Sequence, residues 1–302
     1  MNKSFDETGA QFAWDSTSLK LAAECGRKYY YKMIEGWQPF HKSDHLIFGG
    51  HYATALEHWH KYLALGMDRE DALRAIVREA LEATWLRDAE GVGRPWQSFD
   101  NNKTRETLIR TIIWYVDEFI EDNLVTYQTE KGPAVEFSFS LNVDDGYVLC
   151  GHIDRLVTYG DDIMVTDNKT TGSTITPRYF KQYDLDLQMS MYTFAGKTIY
   201  SLPVKGVVID AAQIAVGFSR FERGFTWRTE AQLNEWYDTT MAYIENARRM
   251  THEQNFPMNL TACGNYGGCE FRHVCGADPQ VRDQFLKSDF FKGPTWDPLE
   301  RR

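Results

Sequence analysis

The chain has 302 residues, 43% hydrophobic and 14% aromatic, enough apolar side chain for one large or two small cored domains. Its formal net charge of −10 excludes a surface coated in nonspecific basic charge, though not a local basic groove, because net charge averages over faces. No apolar run reaches the length of a membrane span, and the opening MNKSFDETGAQFAWDSTS is polar without an apolar signal core, so no membrane contact and a cytoplasmic location are expected.

The first predicted element is a helix over 16–35, STSLKLAAECGRKYYYKMIE, capped by Ser16 or Ser18. Two more helices are predicted at about 48–65 and 68–90. GVGRPWQSFDNN breaks the pattern with Gly, Pro and Asn, and a helix resumes at about 104–123. After Gly132-Pro133 the pattern changes to strands. AVEFSFSLNV, YVLCGHIDRLVTY and DIMVTDNKT are separated by turns at Asp144-Asp145-Gly146 and Gly160-Asp161-Asp162. A helix at about 177–200 follows, then the strands VKGVVIDAAQIAV and FERGFTWR, then a long helix at about 229–250. There is no internal repeat. This order predicts an α/β fold, with helices packed on a mixed sheet.

The strand pair carries candidate chemistry. Asp154 lies near the end of one strand in this reading, and Asp167 and Lys169 lie on the next. Their spacing of two puts Asp167 and Lys169 on one face. Two carboxylates on adjacent strands suit Mg²⁺ or Mn²⁺, which prefer oxygen ligands, and a lysine beside them can orient water or stabilise phosphate charge. The plain alternative is a solvated turn with ordinary surface charges. Gln188 and Tyr192 in QMSMY stand at i and i+4 on one helical face.

Three of the five cysteines fall within CGNYGGCEFRHVCG: Cys263, Cys269 and Cys275, spaced C-x5-C-x5-C. In a reducing compartment such a cluster more often holds metal than forms disulfides. The alternative is buried thiols acting as small apolar groups. Cys150 sits in an apolar strand and is read as core. CGRKYYYK offers Arg27, Lys28, Tyr30 and Lys32, a mixture suited to phosphate contact and base stacking, or to an amphipathic helix packed on the core. TPRYFKQY adds Arg178 and Lys181.

The run G-x-x-D-R, then D-x-K-T, then Q-x-x-x-Y about twenty residues on, resembles the RecB-like branch of the PD-(D/E)XK nuclease superfamily. The likeness is close over 134–195 and loose over 16–276. It implies a restriction-endonuclease-like core across a single domain, 1–302: a mainly helical part (1–130), a catalytic α/β core (131–228) and a C-terminal helix with a cysteine-ligated staple (229–302). It implies that Asp154 and Asp167 bind Mg²⁺ or Mn²⁺, that Lys169 assists the hydrolytic water, and that Gln188 and Tyr192 support the site. One subgroup, which includes the AddB nuclease domain and CRISPR-associated adaptation nucleases, carries an iron–sulfur cluster on one N-terminal and three C-terminal cysteines. By that likeness Cys25 joins Cys263, Cys269 and Cys275, most simply around a 4Fe–4S cluster, with Zn²⁺ as the alternative. The subgroup usually spaces the last three x2 then x5, whereas both gaps here are x5.

The family also expects a histidine on its first helix, at the metal site. In FGGHYATALEHW that register falls on Ala53, with His51 about 200° around the helix and Glu57 one turn beyond. Three readings stay open: Glu57 completes the metal shell, His51 is the ligand in a shifted register, or the ligand is absent and activity is weakened. The implied function is a metal-dependent deoxyribonuclease, an exonuclease on single-stranded DNA or DNA ends, in a bacterial or phage-infected cytoplasm. The alternatives are an inactive DNA-binding homologue within a recombination or CRISPR-like complex, and a zinc-stapled structural protein. No protein partner is specified.

Overall fold

The computed structural model describes residues 4–87, 90–294 and 296–299. β1 (Ala13–Trp14) leads into α1 (Ser16–Glu24). Asp15 caps α1, accepting from Ser18 N, while Ser18 Oγ accepts from Asp15 N, a reciprocal capping box. The single helix expected over 16–35 is broken at Cys25, which is extended at φ −162°, ψ 116°. α2 (Gly26–Tyr29) restarts at once and runs into a π-turn over Tyr30–Ile34. The break has a packing cause. A Cβ on Gly26 would lie 2.6 Å from Met250 Sδ, and Arg27 N donates to Pro257 O at 3.1 Å instead of to its own helix.

β2 (Trp37–Pro39) precedes α3 (Asp44–Ala64) and α4 (Arg69–Ala83). α4 stops short of residue 90 because Thr84 turns the chain, its Oγ1 donating to Ala80 O at 2.6 Å. β3 (Trp85–Arg87), inside the stretch expected to be helical, and β4 (Gly93–Pro95), inside the expected break, then pair as a hairpin, and residues 88 and 89 lie outside the described residues. α5 (Arg105–Glu118) starts from a Thr104–Thr107 capping box. The short β5 (Val125–Thr126), β6 (Gln128–Thr129) and β7 (Gly132–Pro133) follow. β8 (Val135–Asn142), β9 (Val148–Tyr159) and β10 (Asp162–Thr171) match the three expected strands closely. The helix expected at 177–200 is two helices, α6 (Pro177–Lys181) and α7 (Leu187–Tyr200). Asp186 separates them by capping α7, accepting from Gln188 N at 2.8 Å and Met189 N at 3.3 Å. β11 (Val204–Ile214), β12 (Ser219–Trp227), α8 (Glu230–His252), α9 (Arg272–Gly276), α10 (Arg282–Asp289) and β13 (Phe290–Lys292) complete the chain.

The chain forms two compact units. The first comprises Met1–His41, Ser138–Gly151 and Glu230–Arg302. In it β1 pairs in parallel with the start of β9, α1 packs on α8, and β13 pairs antiparallel with β2. Tyr31, Trp37, Phe271, Val274, Leu286 and Phe290 form a small aromatic core there, with Cys269 and Cys275 packed against it.

The second unit comprises Lys42–Phe137 and His152–Thr229. Its mixed sheet runs β9-β10-β11-β12, with β9/β10 and β11/β12 antiparallel and β10/β11 parallel. α7 makes the crossover between the parallel pair and packs on β10 and β11. α3 and α5 cover the other face, where Ala212 and Ile214 of β11 join Phe48, Tyr52, Leu56, Ile112 and Tyr115 in one apolar core. β11 is buried on both faces along nearly its whole length, as central strands are, with Asp210 and Gln213 as its buried polar residues.

Candidate active site

The candidate site lies within the second unit. Asp154 is in the middle of β9, not near a strand end as expected, because β9 extends to Tyr159. β9 and β10 pair from Asp162↔Tyr159 to Thr166↔Arg155, and the next step of that register sets Asp167 opposite Asp154. Alternation then puts Asp154, Asp167 and Lys169 on the α7 face, and Arg155, Thr166 and Thr170 on the α3–α5 face.

Asp154 Oδ2 accepts from the Asn168 backbone N at 3.1 Å and from Asn168 Nδ2 at 3.3 Å. Asp167 is only 3% exposed. Lys169 Nζ lies 2.6 Å from Asp167 Oδ2 as an ion pair, yet that buried oxygen receives no well-angled hydrogen bond. Burial raises the Asp154 carboxyl to about 6, and the adjacent Asp167 charge adds to the rise. Burial also raises Asp167, against the opposing pull of Lys169. Burial pulls the Lys169 ammonium down, but Asp167, Asp154 and Asp186 outweigh it and hold it above its ordinary value. Lys169 is therefore charged at neutral pH.

A chain of contacts leads from strand to helix. Lys169 Nζ donates to Gln188 Oε1 at 3.0 Å, and Gln188 Nε2 donates to Tyr192 Oη at 2.9 Å. Gln188 is half-buried in the first turn of α7, and Tyr192 is buried one turn later. The Asp186 cap fixes where that turn begins, so it also fixes where Gln188 can reach.

Two acidic oxygens, one of them buried with only an ion-pair contact, fit a hard divalent cation. Among the described residues no group of three or more His, Cys, Asp or Glu side chains is arranged to hold a metal. Two protein carboxylates are compatible with Mg²⁺, which retains several waters and takes further oxygens from phosphate.

α3 settles how its own faces are used. A Cβ on Gly49 would meet Thr170 Oγ1 at 3.5 Å, so the start of α3 packs on the β10 face opposite Asp167 and Lys169. Ala53 lies one turn beyond Gly49 on nearly the same side and is half-buried. His51 points elsewhere, its ring 6.4 Å from Trp96, and burial lowers its pKa. Glu57 is half-buried and makes contacts of its own.

The structure also brings in residues the sequence did not flag. Lys103 is 2% exposed, donates to Thr170 Oγ1 at 3.1 Å, and lies 5.5 Å from the Phe48 ring. Arg155, beside Asp154 in sequence, is buried and contacts His60 Nδ1 at 2.7 Å. Nearby, Arg223 joins Asp122 (2.6 and 3.0 Å), Asp210 (3.1 Å) and Tyr115 (3.2 Å). Arg155, Asn168 and Asp186 did carry a sequence signal, the first as the last residue of G-x-x-D-R, the second by lying inside D-x-K and the third as a helix cap.

The cysteines fall in the first unit, and all five are free thiols. Cys150 is 1% exposed, and burial raises its thiol strongly. Cys25 and Cys263 converge on one residue: Asn259 N donates to Cys25 Sγ at 3.4 Å, and Cys263 Sγ donates to Asn259 O at 3.8 Å. Cys269 N donates to Cys263 O at 3.0 Å. Burial raises the Cys269 and Cys275 thiols, and each also feels Cys25.

Of the candidate nucleic-acid contacts, Lys28 pairs with Glu24 at 3.1 Å and Lys32 with Glu270 at 2.7 Å. Tyr30 stacks on Phe256 with centroids 4.5 Å apart, and Arg27 Nε donates to Phe256 O at 3.0 Å. Arg178 and Lys181 are exposed on α6 in the other unit.

A mixed sheet between helices, with two carboxylates and a lysine on its paired central strands, defines an α/β nuclease-type core. The family description of the PD-(D/E)XK nuclease superfamily matches residues 14–276, and the chain belongs to that superfamily. No curated protein sequence matches it. Among solved structures, a protein from Eubacterium rectale provisionally described as an exonuclease shows 12% identity, with 84% of this chain and 86% of that one covered and a TM-score of 0.48. The protein SSO0001 shows 11% identity over 76% of each chain, with a TM-score of 0.30. At these values neither neighbour assigns an activity. Among the described residues no helix is long and apolar enough to cross a membrane.

Proposed function

We propose that this nuclease is a metal-dependent deoxyribonuclease of the RecB-like branch, acting as an exonuclease on single-stranded DNA or DNA ends. The observation that supports it best is the contact chain Asp167–Lys169–Gln188–Tyr192, with Asp154 across the ladder from Asp167. Asp154 and Asp167 are the residues that would hold Mg²⁺ or Mn²⁺. A cation there supplies electrophilic activation of the phosphate and a more acidic water. Lys169 has three N–H donors. One is given to Gln188 and the ammonium keeps an ion-pair contact with Asp167, which leaves donor capacity for the attacking oxygen or the phosphate. The tether to α7 holds the ammonium in one place, and positioning of this kind is worth large factors in rate. The preference for a single strand follows from the resemblance.

For the cysteines, we propose an iron–sulfur cluster on Cys25, Cys263, Cys269 and Cys275, with Zn²⁺ as the competing occupant. The support is chemical: four half-buried thiols in one unit, two of them converging on Asn259 and two packed on an aromatic core. Soft thiolates suit either metal. A second functional reading, a catalytically weakened DNA-binding homologue, is favoured by Ala53 at the register where the resemblance expects a histidine.

The test is cleavage of end-labelled single-stranded, duplex and circular DNA with Mg²⁺ and with Mn²⁺. Asp154→Ala and Asp167→Ala should each abolish cleavage while the protein stays folded. Full activity in Asp167→Ala would refute the site, and intact circular substrate beside degraded linear substrate is the expected exonuclease result.

A further inference from the structure

The first unit contains a cavity of about 610 Å³ between the π-turn and α10. It lies within the usual range of small-ligand sites, and nothing in the catalytic reading uses it. Its floor is buried and apolar: Tyr31, Trp37 and Leu286 are each no more than 6% exposed. Half-buried Tyr30, Arg27 and Arg282 form its walls. Exposed Lys287 and Lys292 stand at its rim. Four cations meet two carboxylates there, Glu35 and Asp283, so the lining is net positive by two on a chain that is net −10.

The wall cations are fixed before any ligand arrives. Arg282 donates to Cys275 O at 3.0 Å and Ala277 O at 3.1 Å, and Arg27 Nε donates to Phe256 O at 3.0 Å. These bonds hold the guanidinium planes without neutralising their charge, because carbonyl oxygens carry none. At the rim, Lys287 pairs with Asp283 and Lys292 with Glu35, both exposed contacts at 2.5 Å. Exposed pairs of this kind are worth about 0–1 kcal/mol and exchange readily for a stronger anion. An aromatic floor under a cationic rim selects a ligand that is both planar and anionic.

We propose that this cavity binds one nucleotide of single-stranded nucleic acid, its base against the Tyr30–Tyr31–Trp37 side and its phosphate against Arg27, Lys287 and Lys292. The proposal rests on the reading of this chain as a nuclease acting on DNA and adds a second contact, carried by the first unit. The same chemistry could be met by a free mononucleotide, and the experiment separates the two sources.

The measurement is fluorescence anisotropy of 5′-labelled dT12 against Asp167→Ala protein, which cannot cleave it, over a series of salt concentrations. Lys287→Glu with Lys292→Glu is compared with Lys61→Glu, an equal change per site on exposed α3 surface of the other unit. The expected result is at least a tenfold weaker Kd for the double variant and a salt slope lower by about 1.4, two single-strand phosphate contacts at about 0.7 each. Lys287→Gln alone, on an exposed side chain that leaves β13 and β2 untouched, should lower the slope by about 0.7. Cross-linking from a 4-thiothymidine oligonucleotide should map to the peptide carrying Tyr30 and Trp37. Competition by thymidine monophosphate as strong as by dT12 would make the ligand a free nucleotide held in the same cavity. Kd and slope matching those of Lys61→Glu overturn the proposal. Wild-type cleavage assays run in parallel keep the two readings apart. Normal cleavage with an indifferent cavity sinks only the cavity, and absent cleavage sinks the nuclease reading while the anisotropy still reports on the cavity.

Discussion

Removing Gln188 tests whether the candidate site works as one connected unit. Gln188→Leu keeps the bulk of the side chain and deletes its acceptor for Lys169 and its donor for Tyr192. The Lys169–Gln188 bond, at 3.0 Å with a charged donor, belongs to the class worth about 1.5–3 kcal/mol. If that orientation matters only in the transition state, kcat falls by about 10- to 150-fold. Lys169 keeps its 2.6 Å contact with Asp167, so activity is lowered and not abolished. Tyr192→Phe removes only the neutral end of the chain, in the class worth about 0.5–1.5 kcal/mol, or about 2- to 12-fold. The two changes should not add. In the Gln188→Leu background the tyrosine hydroxyl has lost the group through which it acts on Lys169, so Tyr192→Phe should cost less than about twofold more. Single-turnover cleavage of one labelled single strand, with thermal melts to confirm folding, completes the cycle. The same fold loss for Tyr192→Phe in both backgrounds would refute the relay and leave Gln188 and Tyr192 as separate packing groups.

Three further outcomes are expected. Cys25→Ser should lower bound iron or zinc as severely as Cys269→Ser, whereas Cys150→Ser leaves it unchanged; metal and sulfide analysis after anaerobic purification decides, and metal lost with Cys150 but kept with Cys25 would overturn the ligand set. His60 is held neutral well below its ordinary pKa by burial first and by the Arg155 and Arg223 charges second. Its unfolded form takes up a proton near pH 6.5 while the folded form does not, so stability is present above that value and falls by about 1.4 kcal/mol per pH unit below it. Asp154, raised to about 6, works in the opposite sense over the same range, so the His60 loss is read from denaturant melts at pH 7.5 to 5.5 as the difference in slope between the parent and His60→Gln; an unchanged slope removes His60 as the cause. Ala53→His should leave the cleavage rate unchanged with Mg²⁺ and with Mn²⁺, because the Gly49–Ala53 side of α3 packs on the β10 face opposite Asp167 and Lys169. His51→Ala, on the Trp96 side of α3, should also leave it unchanged, and a faster Ala53→His enzyme in single-turnover assays would restore the first-helix ligand that the resemblance implies.

The parts of the fold legible in the sequence are those fixed by short-range geometry. β9 and β10 follow from alternation and from the turn at Gly160, and α7 follows from its apolar face. The break at Cys25 could not be read that way. It depends on Met250 and Pro257, more than two hundred residues on, pressing where a Cβ on Gly26 would stand. The strand pair β2/β13 is hidden for the same reason, since Trp37 and Lys292 are partners only after folding. The split between α6 and α7 was legible in principle, because Asp186 in YDLDLQ has the form of an N-cap. It was masked by the apolar periodicity running across it.

The candidate site divides along the same line. That Lys169 meets Asp167, and Gln188 meets Tyr192, follows from periods of two and four and needs nothing else. That Lys169 also meets Gln188 needs the crossover helix to pack on β10, which the spacing of D-x-K and Q-x-x-x-Y reports only through resemblance. Charge state is one step further removed. The sequence contains an aspartate at 154 and an arginine at 155, but their perturbations come from what lies above and below the sheet. On the α7 side, burial and a second carboxylate press Asp154 toward its neutral form, a pressure a divalent cation relieves. On the other side, Arg155 is buried against a neutral His60, with Asp210 and Asp122 close enough for their charge to reach it. Adjacent residues on one strand therefore sit in opposite electrostatic problems, solved by different partners on different helices. A substitution on α3 or α5 can consequently alter the carboxylate pair without touching it, by shifting the strand that Asp154 and Arg155 share.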